Sequence, residues 1–185
     1  MAGVKIKTIN AQKLAYLEHT GDYSSIPYGQ YFDKLYAWAK EKKVRPGFKP
    51  LGIFHDNPEK TPPEQCRSEI AIPIIGDAES DEEIKVKELP EMEVAVIKHK
   101  GSSEEYQNTY KTLGEWIIQN GYEWAGPCME VYTKKPKVKG EQTIMYATIQ
   151  APVKKKEPLL RKLADKEEST ESKTEESEDE PKDEE

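Results

Sequence analysis

Apolar and polar residues alternate with a period of two through VKIKTI near the N-terminus and again through IKVKEL further along, each followed by a continuous apolar run, LAYL and VAVI. Such alternation puts successive side chains on opposite faces of an extended strand. The runs around Leu14, Tyr16, Val94 and Val96 are bounded by polar residues and predict strands, each paired with the run before it in a short hairpin. The period then changes to that of a helix. Tyr28, Tyr31, Phe32, Leu35, Trp38 and Ala39 form one apolar stripe; Tyr106, Tyr110, Leu113, Trp116 and Ile117 form a second. Ser24 or Ser25 and Pro27 suit the start of the first helix, Ser102 with Glu105 suits a capping box on the second, and Asn120-Gly121 suits its stop. A strand pair follows each helix: Leu51 to Phe54 with Ile70 to Ile74, and Met129 to Tyr132 with Ile144 to Ile149.

These two series are related residue by residue. Val4 to Gly21 aligns with Ile84 to Gly101 at an offset of 80, pairing His19 with His99. Tyr28 to Trp38 aligns with Tyr106 to Trp116 at an offset of 78, and Gly52 to Pro58 with Glu130 to Pro136 at the same offset. Three blocks recurring in one order read as a duplication, with too few copies for a solenoid. The expectation is an α+β fold of duplicated β-β-α-β-β units with pseudo-two-fold symmetry, an antiparallel sheet with two packed helices, and a disordered C-terminal tail. The domain spans 1–155, with halves of about 3–75 and 83–153, and the acidic tail 156–185.

Charge separates the same two parts. Residues 157–185 hold 13 acidic and 5 basic side chains, a net of −8, against −7 for the whole chain, so the body carries +1. With no aromatic or β-branched aliphatic residue from Glu167 onward, that segment lacks the apolar surface to offset its ordering entropy. Leu159, Leu160 and Leu163 suit one helical turn before it. A near-neutral body and an acidic tail argue against nucleic-acid binding, while a protein partner through the acidic tail stays open. Cys66 and Cys128 match no metal spacing and read as free thiols of a cytoplasmic protein; no metal or cofactor is expected. The N-terminus has no apolar targeting core and no run reaches a membrane span, so no membrane partner is expected.

Candidate chemistry centres on Glu130. It sits in MEVY on a segment that should be a core strand, where the other half has Gly52. Alternation puts Glu130 with Tyr132 on one strand face, and Gly52 with Phe54 on the equivalent face of the other half. A carboxylate among aromatics is costly to ionise unless a cation or hydrogen bonds compensate, and a bound organic cation would do so with cation–π help. Ten Tyr and three Trp against three Phe suit a ligand groove. Phe54, Trp124, Tyr132 and Tyr146 are candidate walls, Tyr23 a cover at one end, and His55 a contact. Trp38 is read first as helix-to-sheet packing and second as a ligand contact. No serine-nucleophile order, phosphate-binding loop, dinucleotide turn or zinc motif is present.

The HTG and HKG segments, GIFHDNPEKTPPEQCRSEIAIPI (Gly52 to Ile74) and GPCMEVYTKKP (Gly126 to Pro136) resemble the GyrI-like family. That family includes the effector-binding domains of AraC-type and MerR-type multidrug regulators. Lys134-Lys135 depart from the family pattern, which has an acidic or Asn turn before the final proline. The resemblance implies a small-molecule ligand, amphipathic and cationic, held between the halves and countered by Glu130. No basic recognition helix precedes the first strand, so sequestration or sensing through a partner is expected. The resemblance also leaves open a hydrolase of electrophilic cyclopropane-bearing toxins, with Glu130 as general base and Tyr132 or Tyr146 as the assisting hydroxyl. A third course is a protein-binding inhibitor of the gyrase-inhibitor type.

Overall fold

Alternating positions become strands wherever one of their two faces has something apolar to cover. In the computed structural model, which describes residues 3–140 and 142–157, strands β1 (Lys5–Ile9) and β2 (Gln12–Thr20) precede helix α1 (Tyr28–Glu41). Strands β3 (Arg45–Pro46), β4 (Leu51–Phe54) and β5 (Arg67–Ile75) follow. The second series is β6 (Lys85–Leu89), β7 (Met92–Gly101), α2 (Glu105–Gln119), β8 (Tyr122–Trp124), β9 (Cys128–Tyr132), β10 (Lys137–Lys139) and β11 (Gln142–Lys155). The fold is α+β: a curled antiparallel sheet, a half-barrel, with two helices.

The main strand order is β1-β7-β11-β9-β4-β5-β2-β6. This corrects the expected hairpins. β1 pairs with β7 rather than β2, in register Lys5 with Val96 through Ile9 with Met92, and β6 pairs with β2 rather than β7. Asn10 and Ala11 therefore form a crossing from one flank of the sheet to the other. The alternation specified which side chains turn inward but left the partner strand to long-range packing. The expected strand pairs β4–β5 and β9–β11 both form.

Three apolar clusters divide the two sheet faces. On one face, Leu35, Trp38 and Ala39 of α1 cover Ala15, Leu17, Ile70 and Ile72. On the same face, Leu113 and Ile117 of α2 cover Ala95, Ile97, Ile149 and Ala151. On the other face, Leu14 from one flank meets Val94 and Val96 from the opposite flank, over Leu51, Ile53 and Met129. That meeting is what the curl accomplishes: it buries the second face without a third layer.

The helix starts differ from expectation. Pro27 precedes α1 with no side-chain cap; Ser24 and Ser25 instead lie in a short 3-10 turn where Asp22 accepts from the Ser24 amide at 2.8 Å. At α2 only half of the capping box forms: the Ser102 amide donates to Glu105, while the Ser102 hydroxyl donates to Glu104. Gly121 takes the left-handed conformation expected after the helix, at φ +75°. No described helix is long and apolar enough to cross a membrane. The predicted disorder and helical turn of the acidic tail fall on residues 158–185, outside the described residues.

Candidate functional site

The two helices pack on one face of the sheet, α1 and α2 on opposite flanks of the central strand pair β4–β9. Gly52 and Glu130 are register partners across that pair, with Phe54 opposite Cys128. Antiparallel parity sends Glu130, Tyr132 and Phe54 toward the helices, and Met129, Val131, Leu51 and Ile53 into the half-barrel. The glycine matters for space. A Cβ there would come within 2.9 Å of the Phe54 ring and 3.0 Å of the Tyr132 hydroxyl oxygen.

Glu130 is partly buried and ringed by phenols. Tyr110 of α2 donates to its Oε1 at 2.7 Å, and Tyr132 donates to Oε2 at 3.4 Å. The Tyr106 hydroxyl, buried without a hydrogen-bond partner among the described residues, interacts with the same carboxylate. Tyr28 and Phe32 of α1 pack edge-on against the Tyr132 ring at 5.7 and 6.1 Å. No ion pair among the described residues involves Glu130.

The electrostatics follow from burial without a counter-ion. Loss of hydration pushes the Glu130 carboxyl up to about 7, against the opposing pull of the hydrogen bonds from Tyr110 and Tyr132. Burial, then the Glu130 charge, raises Tyr106, Tyr110 and Tyr132 well above the phenol range. Burial also raises Tyr28, where interaction with Tyr132 opposes the shift and the Glu130 charge adds to it. The Cys128 thiol is pushed up to about 12 by burial and then by Glu130, so it stays protonated and unreactive. A carboxyl poised near neutrality beside four phenols can receive a cation, accept a proton, or exchange hydrogen bonds with a polar ligand.

Among the residues singled out from sequence, Glu130, Tyr132 and Phe54 come together. Tyr23 joins them through an edge-on contact with Phe54 at 4.9 Å, and its hydroxyl ties the carbonyls of Asp56 and Arg67. The other four lie elsewhere. Trp38 is buried in the α1–sheet core. Trp124 is exposed on β8, facing Gly114 of α2. Tyr146 is one residue out of phase with Ala147, the partner of Tyr132, and so projects from the opposite sheet face. His55 is likewise out of phase with Phe54 and bonds Glu69 at 2.9 Å. Tyr28, Phe32, Tyr106 and Tyr110 were missed as site residues because their helical spacing read as core. Their signal lay in the offset of 78. Gly52, Phe54 and Phe32 lie 78 positions before Glu130, Tyr132 and Tyr110.

Two surface cavities lie away from this site. One of about 370 Å3 opens beside Ile9, Leu51, Pro73 and Val131; another of about 310 Å3 is lined by Glu18, His55, Arg67 and Glu69. Over Glu130 the tyrosine and phenylalanine rings themselves fill much of the space, so a ligand there must part them.

Comparison with known proteins fits this architecture. A "DNA gyrase inhibitor 2" of Dickeya dadantii (strain 3937) is 33% identical over 114 residues, 60% of this chain and 71% of that protein. The EcmrR C-terminal domain superposes with a TM-score of 0.66 at 18% identity, covering 84% of this chain and 99% of that one. In the EcmrR-DNA complex the TM-score is 0.70 at 18% identity, over 83% of this chain, which spans only 57% of the EcmrR chain. SAV2435 bound to tetraphenylphosphonium superposes with a TM-score of 0.54 at 14% identity, over 82% and 94% of the two chains. The family described as GyrI-like small molecule binding domain matches residues 3–154, nearly the whole described fold, and this chain belongs to it.

Proposed function

We propose that the chain sequesters or senses an amphipathic, cationic aromatic compound in the cytoplasm, with Glu130 countering its charge in the groove between α1 and α2. The observation that carries this reading is a partly buried carboxylate with phenol partners, no described cation, and an unpartnered Tyr106 hydroxyl beside it. A bound cation would replace the lost hydration, and the rings of Tyr28, Phe32, Phe54 and Tyr132 would offer apolar area and cation–π contact. The likeness to a protein bound to tetraphenylphosphonium supports the ligand class. The family's extent, 3–154, supports reading 1–155 as the binding domain and the acidic segment as separate from it. The strand order, which maps onto its own reverse when the two series are exchanged, supports the duplication.

Calorimetry with tetraphenylphosphonium, and with neutral triphenylphosphine oxide as comparator, tests the ligand class. The wild-type protein should prefer the cation, and Glu130→Gln should erase that preference. Because Glu130 titrates at about 7, affinity for the cation should fall as pH drops below 7, approaching tenfold per unit once the carboxyl is mostly protonated. Equal binding of cation and neutral comparator, or a Glu130→Gln protein that binds the cation unchanged, would sink the proposal. A second reading rests on the same titration: a carboxyl half-ionised at neutral pH can act as general base on a water, with Tyr132 assisting. Turnover of a cyclopropane electrophile that Glu130→Gln abolishes while leaving its binding intact would favour that reading.

A further inference from the structure

Although the body's charges nearly cancel, unpaired lysines gather on one stretch of the sheet's helix-free face, while Glu18 and Glu69 lie on that face toward the other flank, paired with Lys85 and Lys87. On the side away from the helices, β11 presents Gln142, Ile144, Tyr146 and Thr148 in one row. Lys100 and Lys98 are the register partners of Tyr146 and Thr148 on the β7 side. On the other side Lys139 and Lys137 of β10 are the partners of Gln142 and Ile144, and Lys134 places its Nζ 5.6 Å over the Tyr146 ring. All five lysines are exposed. None takes part in an ion pair among the described residues, and residues 98–101, 137–139 and 142–150 include no acid. Glu141, in the turn, lies outside the described residues.

We infer that this lysine-flanked row is a docking surface for an extended acidic segment of a partner protein. The lysines line the neutral row on alternate sides: Lys98 and Lys100 beside Thr148 and Tyr146, then Lys137 and Lys139 beside Ile144 and Gln142, with Lys134 over the Tyr146 ring. Neighbouring strands lie about 4.8 Å apart, so each lysine stands one strand spacing from the row, within reach of a chain lying along it. The stretch from Gln142 to Thr148 runs for about 20 Å, enough for roughly six extended residues. Charge complementarity selects acidic side chains, and the partly buried Ile144 and Tyr146 favour a segment that also carries apolar residues. Single-stranded nucleic acid fits less well. It binds by stacking bases on open aromatic faces, and the one aromatic ring in the row is capped by Lys134.

The test uses the full chain, so that its own acidic segment is present throughout. A fluorescein-labelled peptide of glutamates interspersed with leucine is titrated at several salt concentrations, beside a glutamine-for-glutamate control, labelled oligothymidylate, and phosphatidylserine vesicles. The acidic peptide should bind tightest, and salt should weaken it. Lys98→Gln with Lys100→Gln, and separately Lys137→Gln with Lys139→Gln, should each weaken it roughly five- to tenfold, as expected for loss of two exposed charge contacts. Arginine at the same positions should restore binding. A remote pair of exposed substitutions on the helices of the opposite face, Lys40→Gln in α1 with Lys111→Gln in α2, should change it less than twofold. The inference is overturned if the remote pair weakens binding as much as the flanking pairs, or if the flanking pairs change nothing. Tighter, lysine-dependent binding of oligothymidylate or of the vesicles would overturn it in favour of those partners. Each substituted side chain is exposed, so folding should survive, and an unchanged melting temperature verifies that.

Discussion

Glu130→Gln should make the unliganded protein more stable at neutral pH while removing the charge proposed to hold the ligand. The magnitude comes from the titration. Burial raises the Glu130 carboxyl from 4.5 to about 7 in the folded state. Between those values the folded state binds more protons than the unfolded one, so stability falls as pH rises and is flat above about 7. A shift of about 2.5 units corresponds to about 3 kcal/mol of destabilisation at pH 8. Glutamine keeps the shape, and its amide oxygen can still accept from Tyr110, so the variant loses the desolvated charge without opening a cavity. The gain should be near zero at about pH 4.5 and about 3 kcal/mol at pH 8, a rise in Tm of roughly 6–12 °C for a chain of this size. Paired thermal or urea unfolding of both proteins across that range isolates the contribution, because every other group titrates in both. A Tm difference that does not vary with pH, or a variant less stable at pH 8, would refute the account of Glu130 as a desolvated, uncompensated carboxylate.

Three further outcomes follow from the same geometry. Gly52→Ala places a methyl within about 3 Å of the Phe54 ring and the Tyr132 hydroxyl; it should cost about 1–3 kcal/mol in urea unfolding and weaken tetraphenylphosphonium binding severalfold. Tyr110→Phe removes the 2.7 Å hydrogen bond that holds the Glu130 carboxyl down. The pH midpoint of cation binding should move upward by roughly one unit, the equivalent of one charged hydrogen bond, and an unmoved midpoint would show that the bond contributes nothing to the site. Leu35→Ala, at a fully buried α1 position, should destabilise by about 2–5 kcal/mol in denaturant unfolding without shifting that midpoint.

How far the sequence discloses this molecule depends on the range of the interaction. Local periodicity located both helices and most strands, since Leu35 and Leu113 must face a core whatever surrounds them. It could not disclose that β1 crosses to β7, because Lys5 to Ile9 would alternate identically beside β2. The pairing is decided by the curl that brings Leu14 against Val94 and Val96. Strand parity carried the Glu130–Tyr132–Phe54 grouping correctly within the two central strands. It misplaced Tyr146 and His55, where a shift of one residue turns a side chain to the other face. The five lysines escaped for a related reason. They come from three separate segments, and only the register of β7, β10 and β11 puts them on one face.

The site's internal logic is nonetheless written in pairs of residues 78 apart. Gly52, Phe54 and Phe32 stand 78 positions before Glu130, Tyr132 and Tyr110, so the series with the carboxylate is also the one in which two rings carry hydroxyls. Those hydroxyls are the groups that donate to Glu130. A buried carboxylate without donors would sit protonated far above neutrality; with two phenols it rests at about 7, ionisable when a cation arrives. The phenols do not neutralise it, as a lysine would, and so the charge is left available. The opposite half contributes what the carboxylate side lacks: an empty position at Gly52 and the uncharged rings of Phe54 and Phe32. Replacing Gly52 would fill that space, and adding a hydroxyl to Phe54 or Phe32 would supply a donor with no carboxylate of its own to reach. The division between a polar wall and an apolar one is what would suit the site to the proposed ligand, charged at one point and aromatic elsewhere.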